Sequence, residues 1–129
     1  MQGATHDAAT LAFDAADAIA WLDAADGATL DLLPYGVIRM DRHGMVTHYN
    51  RTESLVAGLS PERVMGRHFF TTVAPCANNA LVAFRFNAEP SLDATIDYVF
   101  TLRLRPTPVR LRMLRVPEGR HAYLLVHRL

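Results

Sequence analysis

Cys76 is the residue of this sequence best suited to covalent chemistry, because it is the one thiol among 129 residues. It follows Pro75, which restricts the backbone beside the sulfur, and it precedes the polar pair Asn78-Asn79. Free amides near the sulfur could favour the thiolate and make it a covalent attachment point. The alternative is an inert, buried apolar residue, the usual role of a lone cysteine. Both alternatives stay open, whereas a catalytic thiol is disfavoured because no histidine stands beside it.

Tyr49 and Glu53 form a second pair with chemical potential. If the chain turns helical after residue 50, these side chains lie about one turn apart and face the same space. A tyrosine hydroxyl and a carboxylic acid then offer two donors to one oxygen, and burial can keep the carboxyl protonated. Such a pair would stabilise a buried oxyanion. The alternative is a solvated glutamate beside a core tyrosine.

Other kinds of site are not indicated. The sequence has no glycine-rich phosphate loop, no GxSxG elbow and no HExxH pair. Its six histidines show no metal-ligand spacing with Cys76. Arginines alternate with apolar residues near the C-terminus, which is typical of a nucleic-acid stripe or of a solvated sheet face. A net charge of zero and few interleaved aromatic residues favour the sheet face, so we expect no metal, nucleic acid or enzyme activity.

The composition indicates one globular domain with a real core. Hydrophobic residues make up 50% of the chain and charged residues 20%, which excludes disorder as the main state. A single cysteine excludes a disulfide scaffold. No apolar run reaches about 18 residues, so we expect no membrane span. The first ten residues lack the basic cluster of a signal peptide, and a cytoplasmic protein is therefore expected.

The first 32 residues are predicted to form a helical cap. Thr10 is the expected N-cap and Gly27 the expected stop, and one face carries the apolar residues Leu11, Ala15, Ile19 and Leu22. Seven aspartates but one arginine occur up to residue 41, whereas seven arginines but one acid follow residue 97. Opposite charges attract, so we expect the cap to lie over an arginine-bearing sheet face.

The remaining chain, residues 33–129, is predicted to form an α+β core. The predicted strands cover residues 35–41, 45–49, 96–104, 109–113 and 121–129, and the predicted short helices cover 51–57, a segment from Ser60 to Gly66, and 79–87. This order favours a five-stranded antiparallel sheet with the helices crossing one face. It resembles the PAS sensor fold, which indicates signal input only weakly.

Several motifs together resemble the photoactive yellow protein family over residues 30–129. They are Tyr35-Gly36-Val37-Ile38, Tyr49-Asn50-x-x-Glu53, Gly66-x-x-Phe69-Phe70, Val73-Ala74-Pro75-Cys76, Tyr98-x-Phe100 and Pro106-Thr107. The resemblance implies p-coumaric acid (4-hydroxycinnamic acid) bound to Cys76 as a thioester, with its carbonyl on the Cys76 N–H. Tyr49 and Glu53 would donate to the phenolate.

The same resemblance implies a blue-light switch. Light would isomerise the double bond of the bound group, and Glu53 would then pass its proton to the phenolate. An unpaired carboxylate would remain in the core, which is costly enough to drive partial unfolding. We expect the N-terminal cap to loosen first and to carry the signal.

Three positions depart from the family pattern. Ala57 stands where the family has a threonine that binds the tyrosine, Leu59 where it has an arginine that shields the chromophore, and Leu104 where it has a methionine that assists recovery. With Phe69, Tyr98 and Phe100, these residues form the expected pocket and tuning set. We expect a shifted dark spectrum and slow dark recovery, with Met113 as the nearest alternative sulfur.

Three functions remain in competition. The first is a blue-light photoreceptor domain, and the second is a PAS module that binds proteins without photochemistry. The third is the N-terminal input module of a larger receptor such as a sensor histidine kinase, with any kinase activity outside this chain. The expected partners are a downstream signalling protein or domain, a histidine kinase among them, and a second copy of the chain.

Overall fold

The computed structural model describes residues 10–101 and 105–129, and it has a five-stranded antiparallel sheet in the order β2-β1-β5-β4-β3. The strands are β1 (Gly36–Met40), β2 (Val46–Tyr49), β3 (Leu92–Phe100), β4 (Thr107–Arg115) and β5 (Ala122–Arg128). The helices are α1 (Ala18–Ala24), α2 (Gly27–Leu30), α3 (Arg51–Ala57), α4 (Pro61–Val64) and α5 (Ala83–Ala88), with a π-helical turn at Phe69–Val73 and a 3-10 turn at Pro75–Ala77. The predicted fold class is confirmed.

Side chains of the sheet alternate between two cores. The inner core lies between the sheet and α3 to α5, and includes Ile38, Met40, Leu111, Met113, Leu124 and Val126. The outer core contains the intervening sheet residues Val37, Leu114, Tyr123 and Leu125 together with Ala18, Leu22 and Leu30. The helices of the core and the N-terminal segment therefore cover opposite faces of the sheet.

The β3–β4 hairpin is longer than predicted. Leu92 already pairs with Arg115, four residues before the predicted start of the strand at residue 96, and the ladder continues to Phe100 opposite Thr107. Pairing with β4 thus extends a strand whose own alternation was clear only from Ile96. Leu104 lies outside the described residues.

The third predicted helix, residues 79–87, begins too early. The Asn79 side chain accepts bonds from the backbone N–H groups of Leu81 and Val82, at 3.0 and 3.3 Å. This local turn competes with helical bonding, so α5 starts only at Ala83. Phe84 of α5 is exposed on the helix surface.

The N-terminal cap is not the single helix that was predicted between Thr10 and Gly27. Arg112 of β4 donates to the carbonyl oxygens of Phe13 and Ala15, at 2.9 and 2.7 Å. Those carbonyls are thereby taken by the sheet instead of by an intrahelical N–H, and α1 begins only at Ala18. Gly27 starts α2 instead of ending a helix, because Asp26 caps it by accepting from the Thr29 N–H.

The cap lies over the arginine-bearing outer face, as expected, with Leu11, Ile19 and Leu22 of its apolar face in or against the outer core. Arg112 holds backbone carbonyls of the cap, and its ion pair is with Asp93 of β3, at 2.9 Å. Two tyrosines add contacts: Tyr35 donates to the Leu11 carbonyl and Tyr123 donates to Asp23, at 2.8 and 2.6 Å. Burial raises the pKa of Tyr35 to about 12, so this donor stays protonated at neutral pH.

Arg112→Met tests this attachment. Arg112 is 5% exposed, so the change leaves two partly buried carbonyls without their donor and should reduce the free energy of unfolding by about 2 kcal/mol. The Asp93 carboxylate, which also loses its partner, can be hydrated instead, because its side chain is 58% exposed. Urea unfolding gives the loss, and hydrogen exchange should show reduced protection at residues 11–18. Arg110→Met, which removes an exposed pair with Asp97, is the control. Equal effects of the two changes would refute the attachment.

Gly36→Ala tests how closely α3 packs on β1. A Cβ at Gly36 would lie 2.0 Å from Glu53 Oε1 and 3.2 Å from Glu53 Cβ, so the Glu53 carboxylate must move and the start of α3 must give by a few tenths of an ångström. We expect about 1–3 kcal/mol of destabilisation, the usual cost of overpacking, with amide chemical-shift changes at Tyr49–Ser54. Gly66→Ala is the control, because it strains a positive φ in open space. Unchanged shifts at Tyr49–Ser54 in Gly36→Ala would contradict the packing.

Candidate functional site

Tyr49 and Glu53 lie at one junction on the inner face of the sheet. Tyr49 is the last residue of β2, and Glu53 is in the first turn of α3, which begins directly after Asn50. Both side chains are buried: Tyr49 is 2% exposed and Glu53 is 1% exposed. The sequence prediction that α3 would bring them together in the core is therefore correct in placement, and the solvated-glutamate alternative is wrong.

Asn50 fixes this junction, a role that the sequence reasoning did not assign. Its Oδ1 accepts from the N–H groups of Val37 and Glu53, and its Nδ2 donates to the carbonyls of Leu30 and Tyr35, all at 2.9–3.0 Å. The side chain is fully buried. An asparagine three residues before a glutamate at a helix start is an N-cap signal, and it could have identified this residue.

Arg128, the last residue of β5, is the second residue that was missed. Its Nη1 binds Glu53 Oε1 in a short contact, and its Nη2 lies 3.3 Å from Glu53 Oε2. Glu53 was expected to be a protonated donor, and the sequence analysis did not anticipate this two-point ion pair. Arg128 continues the inner-facing series Leu124 and Val126 of β5, so strand alternation could have placed it there.

The electrostatics of the three groups are coupled. Burial raises the pKa of Glu53 above its usual range, and the bond and charge of Arg128 oppose that rise. Burial also raises the pKa of Tyr49, which the negative charge of Glu53 raises further and Arg128 lowers. Tyr49 therefore remains a donor at neutral pH. The protonation of Glu53, in contrast, depends on where the Arg128 guanidinium is.

Cys76 packs against the same inner core that contains Tyr49 and Phe69. It is the middle residue of the 3-10 turn, and its carbonyl accepts from Tyr98 Oη at 2.5 Å and from Asn79 Nδ2 at 3.3 Å. Asn79 Nδ2 also donates to Tyr98 Oη at 2.6 Å. The Asn79 amide, expected to be free for the sulfur, is thus used to hold the Cys76 backbone against β3.

The expected pocket and tuning residues belong to the described part of the chain, except Leu104, which lies outside it. Phe69 and Phe100 are buried in the inner core, and Leu59 packs against it. Ala57 and Phe100 line a cleft of about 430 Å³ whose other described walls are Val56, Gly58, Arg105, Thr107 and Arg128. Arg128, the partner of Glu53, therefore borders an open space.

The residues present fit a covalently held phenolic group. The partly buried thiol of Cys76 and the buried Tyr49 belong to one apolar core, Glu53 is also buried, and Gly36 leaves room for the Glu53 carboxylate where a Cβ would fill it. Among residues 10–101 and 105–129, no three His, Cys, Asp or Glu side chains converge as a metal site. Nor does this part of the chain contain a helix long and apolar enough to cross a membrane.

Comparisons with a family model and with known sequences agree with each other. Residues 27–129 match the model of the PAS fold. The photoactive yellow protein of Rhodothalassium salexigens is 35% identical over 104 residues, which cover 78% of this chain and 83% of that protein. The photoactive yellow protein of Rhodobacter capsulatus is 32% identical over 108 residues, which cover 81% of this chain and 87% of that protein.

A solved structure agrees with these sequence matches. The crystal structure of the photoactive yellow protein domain of the sensor histidine kinase Ppr from Rhodospirillum centenum superposes with a TM-score of 0.75 at 39% identity. The match covers 82% of this chain and 96% of that domain. This chain thus has a PAS-type sheet, a buried tyrosine and glutamate, and the cysteine turn. It is also similar in sequence to photoactive yellow proteins over most of its length. This protein belongs to the photoactive yellow protein family.

Proposed function

We propose that this chain is a blue-light photoreceptor domain that carries p-coumaric acid as a thioester on Cys76. The observation that supports this most is the burial of Tyr49 and Glu53 beside the inner core that Cys76 also contacts. When bound, the group would supply absorption of blue light and isomerisation about its double bond. The protein itself would be a sensor without enzyme activity.

The residues of the site divide the work of binding. Cys76 provides the covalent bond, and its backbone N–H would hold the carbonyl of the group. Tyr98 and Asn79 fix the orientation of the Cys76 turn, since both bind its carbonyl oxygen. Tyr49 and a protonated Glu53 would donate to the phenolic oxygen. The pocket would be shaped by other residues, which would tune the absorption and the dark recovery of the chromophore: Ala57, Leu59, Phe69, Phe100 and Leu104.

Proton release from Glu53 would provide the switch. A carboxylate that is 1% exposed is costly when it has lost its partners, so the junction around α3 would rearrange. Asn50 ties the start of α3 to the carbonyl oxygens of Leu30 and Tyr35, which adjoin the cap. A shift at Glu53 can therefore reach the segment up to residue 32, and we propose that loosening of this cap carries the signal.

The cap would act on a cytoplasmic signalling partner. The Ppr domain belongs to a sensor histidine kinase, which makes a histidine kinase, in the same chain or in another, the favoured downstream element here. A second copy of the chain is the other proposed partner. No nucleic acid or membrane enters this proposal.

A second candidate function is a PAS module that binds proteins without photochemistry. The Glu53–Arg128 pair favours it, because the buried carboxylate already has a partner without any chromophore. Reconstitution with activated p-coumaric acid separates the two candidates. A visible absorption band with a mass increase of one chromophore supports the photoreceptor, and unchanged mass and spectrum support the interaction module.

Cys76→Ser should abolish covalent loading and leave the fold nearly unchanged, because the sulfur is the only thiol and serine is close in size. Intact mass and absorption after reconstitution provide the measurement. Wild-type protein alkylated at Cys76 is the matched control and should also stay colourless. A retained visible band in Cys76→Ser would remove the assignment.

Glu53→Gln should red-shift the dark band, because an amide is the weaker donor and stabilises the phenolate less. It should also reduce the light-induced loss of hydrogen-exchange protection at residues 10–25, since no new buried carboxylate forms. Glu62→Gln, at an exposed acid of α4, is the control and should behave like the wild type. A full light response in Glu53→Gln would contradict the proton-transfer mechanism.

A further inference from the structure

The contact between Arg128 and Glu53 is unusual in its placement. Arg128 ends β5 on the inner face of the sheet, and its side chain is 22% exposed, whereas the Glu53 side chain is 1% exposed. The guanidinium therefore reaches from the rim of the sheet to a carboxylate in the interior. Two parallel contacts, one to each oxygen, make this a directed pair.

Arg128 also has a donor that the protein leaves unused. Its Nε is buried and makes no hydrogen bond to any of the described residues. A buried N–H without a partner is costly, so such a group points to an acceptor that the polypeptide does not supply. The neighbouring cleft of about 430 Å³, lined by both Arg105 and Arg128, is where such an acceptor has room.

We propose that Arg128 is a positioning residue for the phenolic oxygen of the bound group, and that this oxygen and Glu53 share or exchange the Arg128 guanidinium. The inference rests on the proposed function. Without the group, Arg128 pairs with Glu53 and favours its ionised form. With the group bound as an anion, Arg128 turns toward it, and Glu53 becomes a buried carboxyl with no cation.

This exchange neither adds a proton to the site nor removes one from it. Glu53 gains the proton that the phenol loses, so the net charge of the site does not change. The charged and titratable groups that face this exchange are Tyr49 from β2, Glu53 from α3, Arg128 from β5 and Arg105 beside the cleft. Tyr49 stays protonated throughout, because burial raises its pKa. Arg128 thereby decides which of two acids holds one proton.

The first test uses the protein without chromophore and follows the Glu53 carboxyl by carbon NMR as pH is varied. Arg128→Met should raise the pKa of Glu53 by about 1–3 units, the usual effect of losing an adjacent cation. Since a raised pKa favours the fold only while the group is protonated, the variant should lose stability as pH rises through that range. Arg128→Lys should restore much of the wild-type titration, and Arg110→Met is the control. An unmoved Glu53 titration overturns the proposal.

The second test uses the loaded protein and titrates the phenol by absorbance. Arg128→Met should raise the pKa of the phenol by about 1–3 units, and Arg128→Lys should reverse most of that rise. An unchanged phenol titration with intact loading overturns the role of Arg128 and leaves the proposed function standing. Failure of wild-type Cys76 to load removes the proposed function, while the chromophore-free titration still decides the Glu53–Arg128 link. If Arg128→Met does not fold, Arg128→Gln replaces it in both tests.

Discussion

An ionisable carboxyl in the core is the constraint on which this structure depends. Glu53 is 1% exposed, so it must be either protonated or paired with a cation. The fold provides for each alternative: burial favours the neutral form, whereas Arg128 offers a partner to the charged form. Burial and Arg128 therefore act in opposite directions on the protonation of Glu53.

Backbone groups connect this balance to the rest of the molecule. Asn50 uses its entire carboxamide to join β1, the end of α2 and the start of α3, so none of these can shift alone. Tyr98 and Asn79 perform a similar task for the Cys76 turn by holding its carbonyl. The reactive side chains are thus placed by neighbours that bind main-chain atoms.

Local patterns in the sequence predicted much of this arrangement but not all of it. Alternation placed the strands, and helical spacing brought Tyr49 and Glu53 together, because both depend on neighbours a few residues apart. Arg128 and Glu53 are 75 residues apart, so no local pattern reports their contact. The prediction of a single helix in the cap was wrong for the same reason. The alanine-rich segment has a high helix propensity, but an arginine nearly a hundred residues away binds the carbonyls of Phe13 and Ala15.

The hydrogen bonds from Arg112 to the cap have an evolutionary consequence. It holds carbonyl oxygens of Phe13 and Ala15, which every amino acid possesses, instead of side chains that substitution would remove. The cap can therefore change its outward-facing residues without losing this anchor. A lineage can therefore change that surface while the buried side chains of Tyr49 and Glu53 on the other face of the sheet stay as they are.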